Sequence, residues 1–224
     1  MLRTRRVLTA AIVTVVLAIG GCFAHSALGS SWMSDPNGKV LYLTFDDGPG
    51  DETVEILDLV REYDAKAVFF ALGDNLAHDA DVARRIVAEG HVLANHTWNH
   101  RNLTDLDDAG WEREVGETAS LLGQLGSASR CVRPPYGATD DDVAANLAAA
   151  DMTEVLWNVD TQDWAAPGVE VIVDRLLQAS SGDVVLMHDG GGDRTQTVQA
   201  LREALPKLAE QGFTFEIVPD CLQM

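Results

Sequence analysis

Residues 40–49 read Val40-Leu41-Tyr42-Leu43-Thr44-Phe45-Asp46-Asp47-Gly48-Pro49. The first six are β-branched, aliphatic or aromatic, the composition of a half-buried strand. Asp-Asp-Gly-Pro then stops it, because these residues favour turns. Thr53 follows in position to cap a helix, with Ile56, Leu57 and Val60 at helical spacing. Strand, turn and helix make one β-α unit, and the chain repeats it. Further strands are predicted over Ala67–Leu72, Val92–Asn95, Cys131–Arg133, Glu154–Val159, Val184–Met187 and Phe213–Val218. Helices are predicted over Asp79–Glu89, Asp105–Leu125, Asp140–Ala150, Val169–Gln178 and Thr195–Glu210, the last disturbed by Pro206. Seven strands with helices between nearly all of them predict an α/β fold with parallel strands. Either a doubly wound sheet or a barrel would satisfy the pattern.

The chain has 224 residues, 46% of them hydrophobic, which suits one domain with a sizeable core. A formal net charge of −19 argues against nucleic acid and against attraction to an anionic membrane surface. It suits a neutral or cationic partner, and it also serves solubility alone. Arg3, Arg5 and Arg6 precede an uncharged run from Val7 to Ala24, the pattern of an export signal. Ile19-Gly20-Gly21-Cys22 resembles a bacterial lipobox, which makes Cys22 a candidate for lipidation. Arg5-Arg6 resembles a twin-arginine signal. An uncleaved anchor is the alternative. All three readings export the domain, either secreted or tethered by lipid or anchor. Residues 1–24 are thus read as a leader, 25–38 as a polar linker and 39–224 as the domain. Two cysteines remain, Cys131 and Cys221, which in an exported domain can bridge or stay as free buried thiols.

The reactive residues collect just after the predicted strands: Asp46-Asp47, His96 and His100, Arg133, Asp160 and Asp163, His188-Asp189. In a parallel barrel all such loops share one face, so residues far apart in sequence can converge. In His96-Thr97-Trp98-Asn99-His100 the histidine spacing lets both imidazoles reach one metal ion. Thr97 stands where a zincin would carry its glutamate, so a base must come from elsewhere. One carboxylate of Asp46-Asp47 can complete a His-His-Asp set and the other can act as base; a plain Asp-Asp-Gly-Pro turn is the competing reading. Arg133-Pro134-Pro135-Tyr136-Gly137 is stiffened by two prolines and can hold an Arg head in place. Gly190-Gly191-Gly192 lacks the Lys-Ser/Thr of a phosphate-binding loop and reads as a tight turn. His25, His78 and His91 match no motif and read as surface or structural.

Taken in order, Thr44–Gly48, His96–His100, Arg133–Gly137, Asp160–Trp164 and Leu186–Asp189 resemble the five motifs of the NodB-homology polysaccharide deacetylases, carbohydrate esterase family four. The resemblance spans roughly residues 39–219 and implies that family's distorted (β/α) barrel. It implies that Asp47, His96 and His100 hold one divalent metal, zinc or cobalt. It further implies Asp46 as general base paired with Arg133, and His188 as general acid tuned by Asp163. Tyr136 would supply an oxyanion N–H, and Trp164 and Leu186 would line the acetyl pocket. Asp160 has no assigned role, and Asp189 supports the loop. The expected activity is removal of N-acetyl groups from an N-acetylglucosamine polymer of peptidoglycan or chitin type, by a monomer. The alternatives are an O-acetyl esterase on xylan and a catalytically silent glycan-binding domain.

Overall fold

A computed structural model describes residues 38–222; the leader, Cys22 and His25 lie outside the described residues. The strands are β1 (Lys39–Asp46), β2 (Ala67–Ala71), β3 (Val92–Asn95), β4 (Cys131–Val132), β5 (Thr153–Glu154), β6 (Val159–Asp160), β7 (Val184–His188) and β8 (Phe213–Phe215). All pairings are parallel. Seven strands run in the order β5-β4-β3-β2-β1-β7-β6, and β8 pairs the first residues of β1. β5 and β6 end this order on opposite sides, yet only Val155–Asn158 separate them in sequence. So short a link reaches at most about 18 Å, so the sheet must curl until its edges approach. The result is an open, distorted (β/α) barrel.

The predicted single strand Glu154–Val159 is therefore two short strands on opposite edges. The chain crosses the seam there: the Val155 N–H donates to Val132 O at 2.9 Å and the Asn158 N–H to Val184 O at 3.1 Å. A continuous apolar run hides such a switch, because its composition is the same on either side.

The helices are α1 (Thr53–Glu62), α2 (Gly73–His78), α3 (Ala80–Ala88), α4 (Asp108–Trp111), α5 (Glu117–Gln124), α6 (Asp141–Ala149), α7 (Val169–Leu177) and α8 (Thr195–Glu210). Three details depart from expectation. Thr53 does not cap α1; its hydroxyl donates instead to the Asp189 carboxylate at 2.6 Å. The helix predicted from Asp105 starts at Asp108, where the Asp107 side chain accepts from the Gly110 N–H, and it contains a π-helical turn over Glu112–Gly116. α8 runs through Pro206 without a break.

Strand alternation sorts the side chains into two layers. Leu41, Leu43 and Phe45 of β1, with Ala67, Phe69 and Ala71 of β2, face outward onto Ile56, Leu57 and Val60 of α1 and Leu201 and Leu205 of α8. Val68, Phe70 and Ala94 face the barrel interior with Val155 and Val218. Cys131 joins that inner cluster and is bonded to Cys221, with Cα atoms 5.4 Å apart across a sequence separation of 90. The bridge ties the turn at Pro219–Cys221 to β4. Closing so long a loop restricts the unfolded chain strongly, so the Cys131→Ser/Cys221→Ser double variant should lose about 2–4 kcal/mol of stability, read as a lower urea midpoint than the oxidised protein.

Candidate active site

The same alternation aims the chemistry inward. In β1 the residues opposite Leu43 and Phe45 are Thr44 and Asp46. In β7, Val185 and Met187 join the outer core, leaving Leu186 and His188 on the inner face. Asp46 and His188 are register partners on adjacent strands, and Asp160 partners Leu186. His96 and Arg133 each follow a strand directly, with Leu93 and Val132 one face removed. Asp46, Asp47, His96, His100, Tyr136, Trp157, Asp160, Trp164, Leu186 and His188 thus line one cavity of about 450 Å³.

Asp47, His96 and His100 place one ligand atom each within 4.8 Å of one another. His96 Nε2 lies 3.5 Å and His100 Nε2 3.4 Å from Asp47 Oδ1. That oxygen is buried with no hydrogen-bond partner. An orphaned carboxylate oxygen facing two imidazole nitrogens is the donor set of a divalent metal with open positions. The tautomer fits as well. His96 Nδ1 is 2.7 Å from the Arg133 carbonyl, which holds the proton on Nδ1 and frees Nε2 to bind a metal. Burial, only partly offset by the Asp47 charge, pushes the His96 imidazole down to about 3, so it is neutral. The residues present therefore fit the metal that the sequence implies.

On one side of this triad stands a buried ion pair. Arg133 Nη1 donates to Asp46 Oδ1 at 2.8 Å. Burial raises the Asp46 carboxyl above the usual carboxylate range, while the charges of Arg133 and His188 pull it back without cancelling the rise. Asp46 Oδ2 is 3.7 Å from His96 Nε2, so the free oxygen points at the metal triad. On the other side, His188 Nδ1 is 2.8 Å from Asp163 Oδ1, and the His188 N–H donates to Asp163 Oδ2. Burial alone would depress the His188 imidazolium; the Asp163 hydrogen bond and charge outweigh it and raise its pKa. Asp163 is lowered despite its burial, because His188 and the Thr197 hydroxyl stabilise its charge.

The remaining predicted residues fall into place unevenly. Tyr136 is 71% and Trp164 56% exposed, so both stand as aromatic rims; Leu186 is 4% exposed and forms wall more than rim. Asp160 lines the cavity, and its Oδ1 accepts from the Gln162 N–H, which fixes the turn into Asp163. Asp189 is fully buried behind the site. Burial pushes it up to about 7 against the Thr53 hydrogen bond. The Gly190 turn presses on the metal loop, where any Cβ would lie 2.0 Å from the Asp47 carbonyl oxygen. Of the histidines outside the motifs, His78 is exposed beside Asp74 O, and His91 is buried, accepts from the Ala67 N–H and is pushed down to about 4 by burial.

Sequence reading missed four participants. Thr44 accepts from Arg133 Nη1 and donates to Val185 O. Thr197 donates to Asp163 from α8. Trp157 lines the cavity from the seam between β5 and β6. Glu114, in the π-helical turn, reaches the histidine loop. Thr44 sits inside the first motif and its strand parity could have flagged it. The other three act across the fold and carry no local signal.

The chain is similar to known proteins over most of this domain. The polysaccharide deacetylase family matches residues 33–155. A peptidoglycan-N-acetylglucosamine deacetylase of Bacillus cereus is 38% identical over 197 residues, covering 86% of this chain and 92% of that protein. A chitooligosaccharide deacetylase of Rhizobium leguminosarum bv. trifolii is 38% identical over 198 residues, covering 80% of this chain and 90% of that protein. Among solved structures, the peptidoglycan deacetylase PdaC of Bacillus subtilis superposes with a TM-score of 0.76 at 34% identity, covering 83% of this chain and 90% of the other. A cavity that gathers the five motifs, on a chain this similar along nearly its whole domain, places the protein in the polysaccharide deacetylase family.

Proposed function

We propose that this protein is a zinc-dependent hydrolase that removes N-acetyl groups from a polymer containing N-acetylglucosamine. The observation that carries the reading is the pairing of an orphaned Asp47 oxygen and two histidines with a carboxylate–arginine pair on one flank and a histidine–carboxylate pair on the other. A divalent ion held by Asp47, His96 and His100 would acidify a bound water and polarise the acetyl carbonyl.

The chain's own groups complete the chemistry. Asp46, raised by burial and oriented by Arg133, takes the proton of the attacking water. The Tyr136 N–H would donate to the developing oxyanion, where one donor is worth roughly 3 kcal/mol. His188, whose pKa the Asp163 hydrogen bond and charge raise against burial, gives its proton to the leaving nitrogen. An amine leaves poorly without that proton, and an ester oxygen needs it less, so the acid is required by an amide substrate more than by an ester. The exposed Tyr136 and Trp164 offer flat faces to sugar rings. A silent glycan-binding role would need neither Asp46 with Arg133 nor His188 with Asp163.

We place the domain outside the cytoplasm. The Cys131–Cys221 bridge supports an oxidising compartment, as does the leader, with Cys22 as lipid anchor. Among the described residues no helix is long and apolar enough to cross a membrane.

Acetate release from N-acetylglucosamine oligomers by the zinc-loaded domain should stop with chelator and return with added zinc. Release only from acetylated xylan would replace the amidase reading with the esterase one. Asp46→Asn and His188→Ala should each lower kcat/KM by about 10²–10⁴-fold while zinc stays bound, measured by steady-state kinetics beside metal analysis. The raised His188 pKa gives a signed expectation. The acid works below its pKa, and Asp163→Asn removes the charge that raises it. The alkaline limb of the kcat–pH profile should therefore move to lower pH in that variant.

A further inference from the structure

The loop from His96 to His100 must present two imidazoles to one point while Thr97 and His100 sit in left-handed backbone at φ 70° and 58°. Such conformations persist only when neighbours over-determine them. Its carbonyls are held from one side: the Gly73 and Asp74 N–H groups donate to Thr97 O and Trp98 O at 2.9 and 3.1 Å. Its N–H groups are held from the other. Glu114 Oε2 accepts from the Trp98 N–H at 3.0 Å and the Asn99 N–H at 2.8 Å. Asn95 adds a second strut, accepting from the Thr97 N–H and donating to Val115 O.

Glu114 is fully buried, a costly place for a carboxylate used only for packing. It sits in the π-helical turn, where the Glu117 N–H donates to Glu112 O five residues back. The extra residue in that turn shifts the register of the helix, and π turns recur at functional sites. Among the described residues the Glu114 carboxylate accepts only from these two N–H groups, and its Oε1 is buried with no hydrogen-bond partner.

We infer that Glu114 is a positioning residue for the metal centre: through the Trp98 and Asn99 N–H groups it sets the separation and aim of His96 and His100. This rests on the reading of Asp47, His96 and His100 as the metal ligands. Both bonds run to one oxygen, so Glu114→Gln can keep them with its amide oxygen, while Glu114→Ala removes them and Glu114→Asp is a methylene too short to make both.

The test is zinc affinity of the exported domain, read by competition with a chromophoric chelator, beside a thermal melt of each apo variant. Glu114→Ala should bind zinc about 10–100-fold more weakly, the usual effect of losing a partner that orients a ligand. Glu114→Asp should fall between, and Glu114→Gln should stay within about threefold of the unaltered protein. In kinetics run at a temperature where the apo melt shows the Ala variant fully folded, its deficit should shrink as free zinc rises, so that stabilisation of the fold by bound zinc cannot account for the rescue. Folded Ala protein with unaltered zinc affinity overturns the inference. If the Ala variant does not fold, Glu114→Asp with unaltered affinity overturns it instead. No zinc binding by the unaltered domain would sink the metal reading itself, a distinguishable outcome.

Discussion

A fully buried guanidinium organises this molecule. Arg133 has no exposed surface, and a charge in that position must be paired and hydrogen-bonded or the fold carries several kcal/mol of desolvation uncompensated. Its donors are spent on four partners: Asp46, Thr44, and the carbonyls of Val155 and Leu156. The Phe70 ring lies 4.1 Å beneath it. Those partners belong to different parts of the barrel. Asp46 ends β1 beside the metal-ligand candidates, Thr44 lies two residues before it on the same strand, and the two carbonyls lie on the segment that crosses the seam. Arg133's own carbonyl fixes the tautomer of His96. One residue thus closes the curled sheet, orients the Asp46 carboxylate and fixes the tautomer of His96. Buried ion pairs contribute little net stability, so its worth lies in preorganisation.

Strain gathers around the same centre. Asp47, Thr97, His100 and Tyr136 all have positive φ without being glycine, at 70°, 70°, 58° and 62°. Each costs on the order of 1–3 kcal/mol. Two of them are metal-ligand candidates, one lies between the histidines and one rims the pocket. The surrounding hydrogen bonds from Gly73, Asp74, Asn95 and Glu114 hold the histidine loop there, and the Gly190 turn holds the Asp47 loop. The framework of regular strands tolerates this because its outer core of Leu, Phe, Ile and Val is buried and continuous.

The pairs on either side of the metal triad divide the work by environment. Asp46 and Asp163 are both buried carboxylates, yet the first is raised and the second lowered. The difference is in their partners: Asp46 receives one Arg donor in a setting dominated by desolvation, whereas Asp163 accepts from the His188 ring, the His188 backbone and Thr197. One is thereby suited to take a proton and the other to hold an imidazolium.

Local pattern was enough for the β-α repeat, for β3 and α8 to the residue, and for the motif residues at strand ends, because strand parity and helical spacing are properties of neighbours in the chain. It failed where a run of one composition serves two places. Glu154–Val159 split across the seam because carbonyls there are claimed by Arg133, a residue 22 and 23 positions away. It also failed where a polar residue on an amphipathic helix turned inward: Glu114 looks like any solvated glutamate until the π turn and the histidine loop are placed together. The Cys131–Cys221 bridge was undecided for the same reason, since composition does not contain a distance. The sequence alone determined which chemical groups this protein carries and on which side of each strand they fall; only the folded barrel decided which of them meet, because meeting depends on curl, seam and loop strain that arise from contacts far apart in the chain.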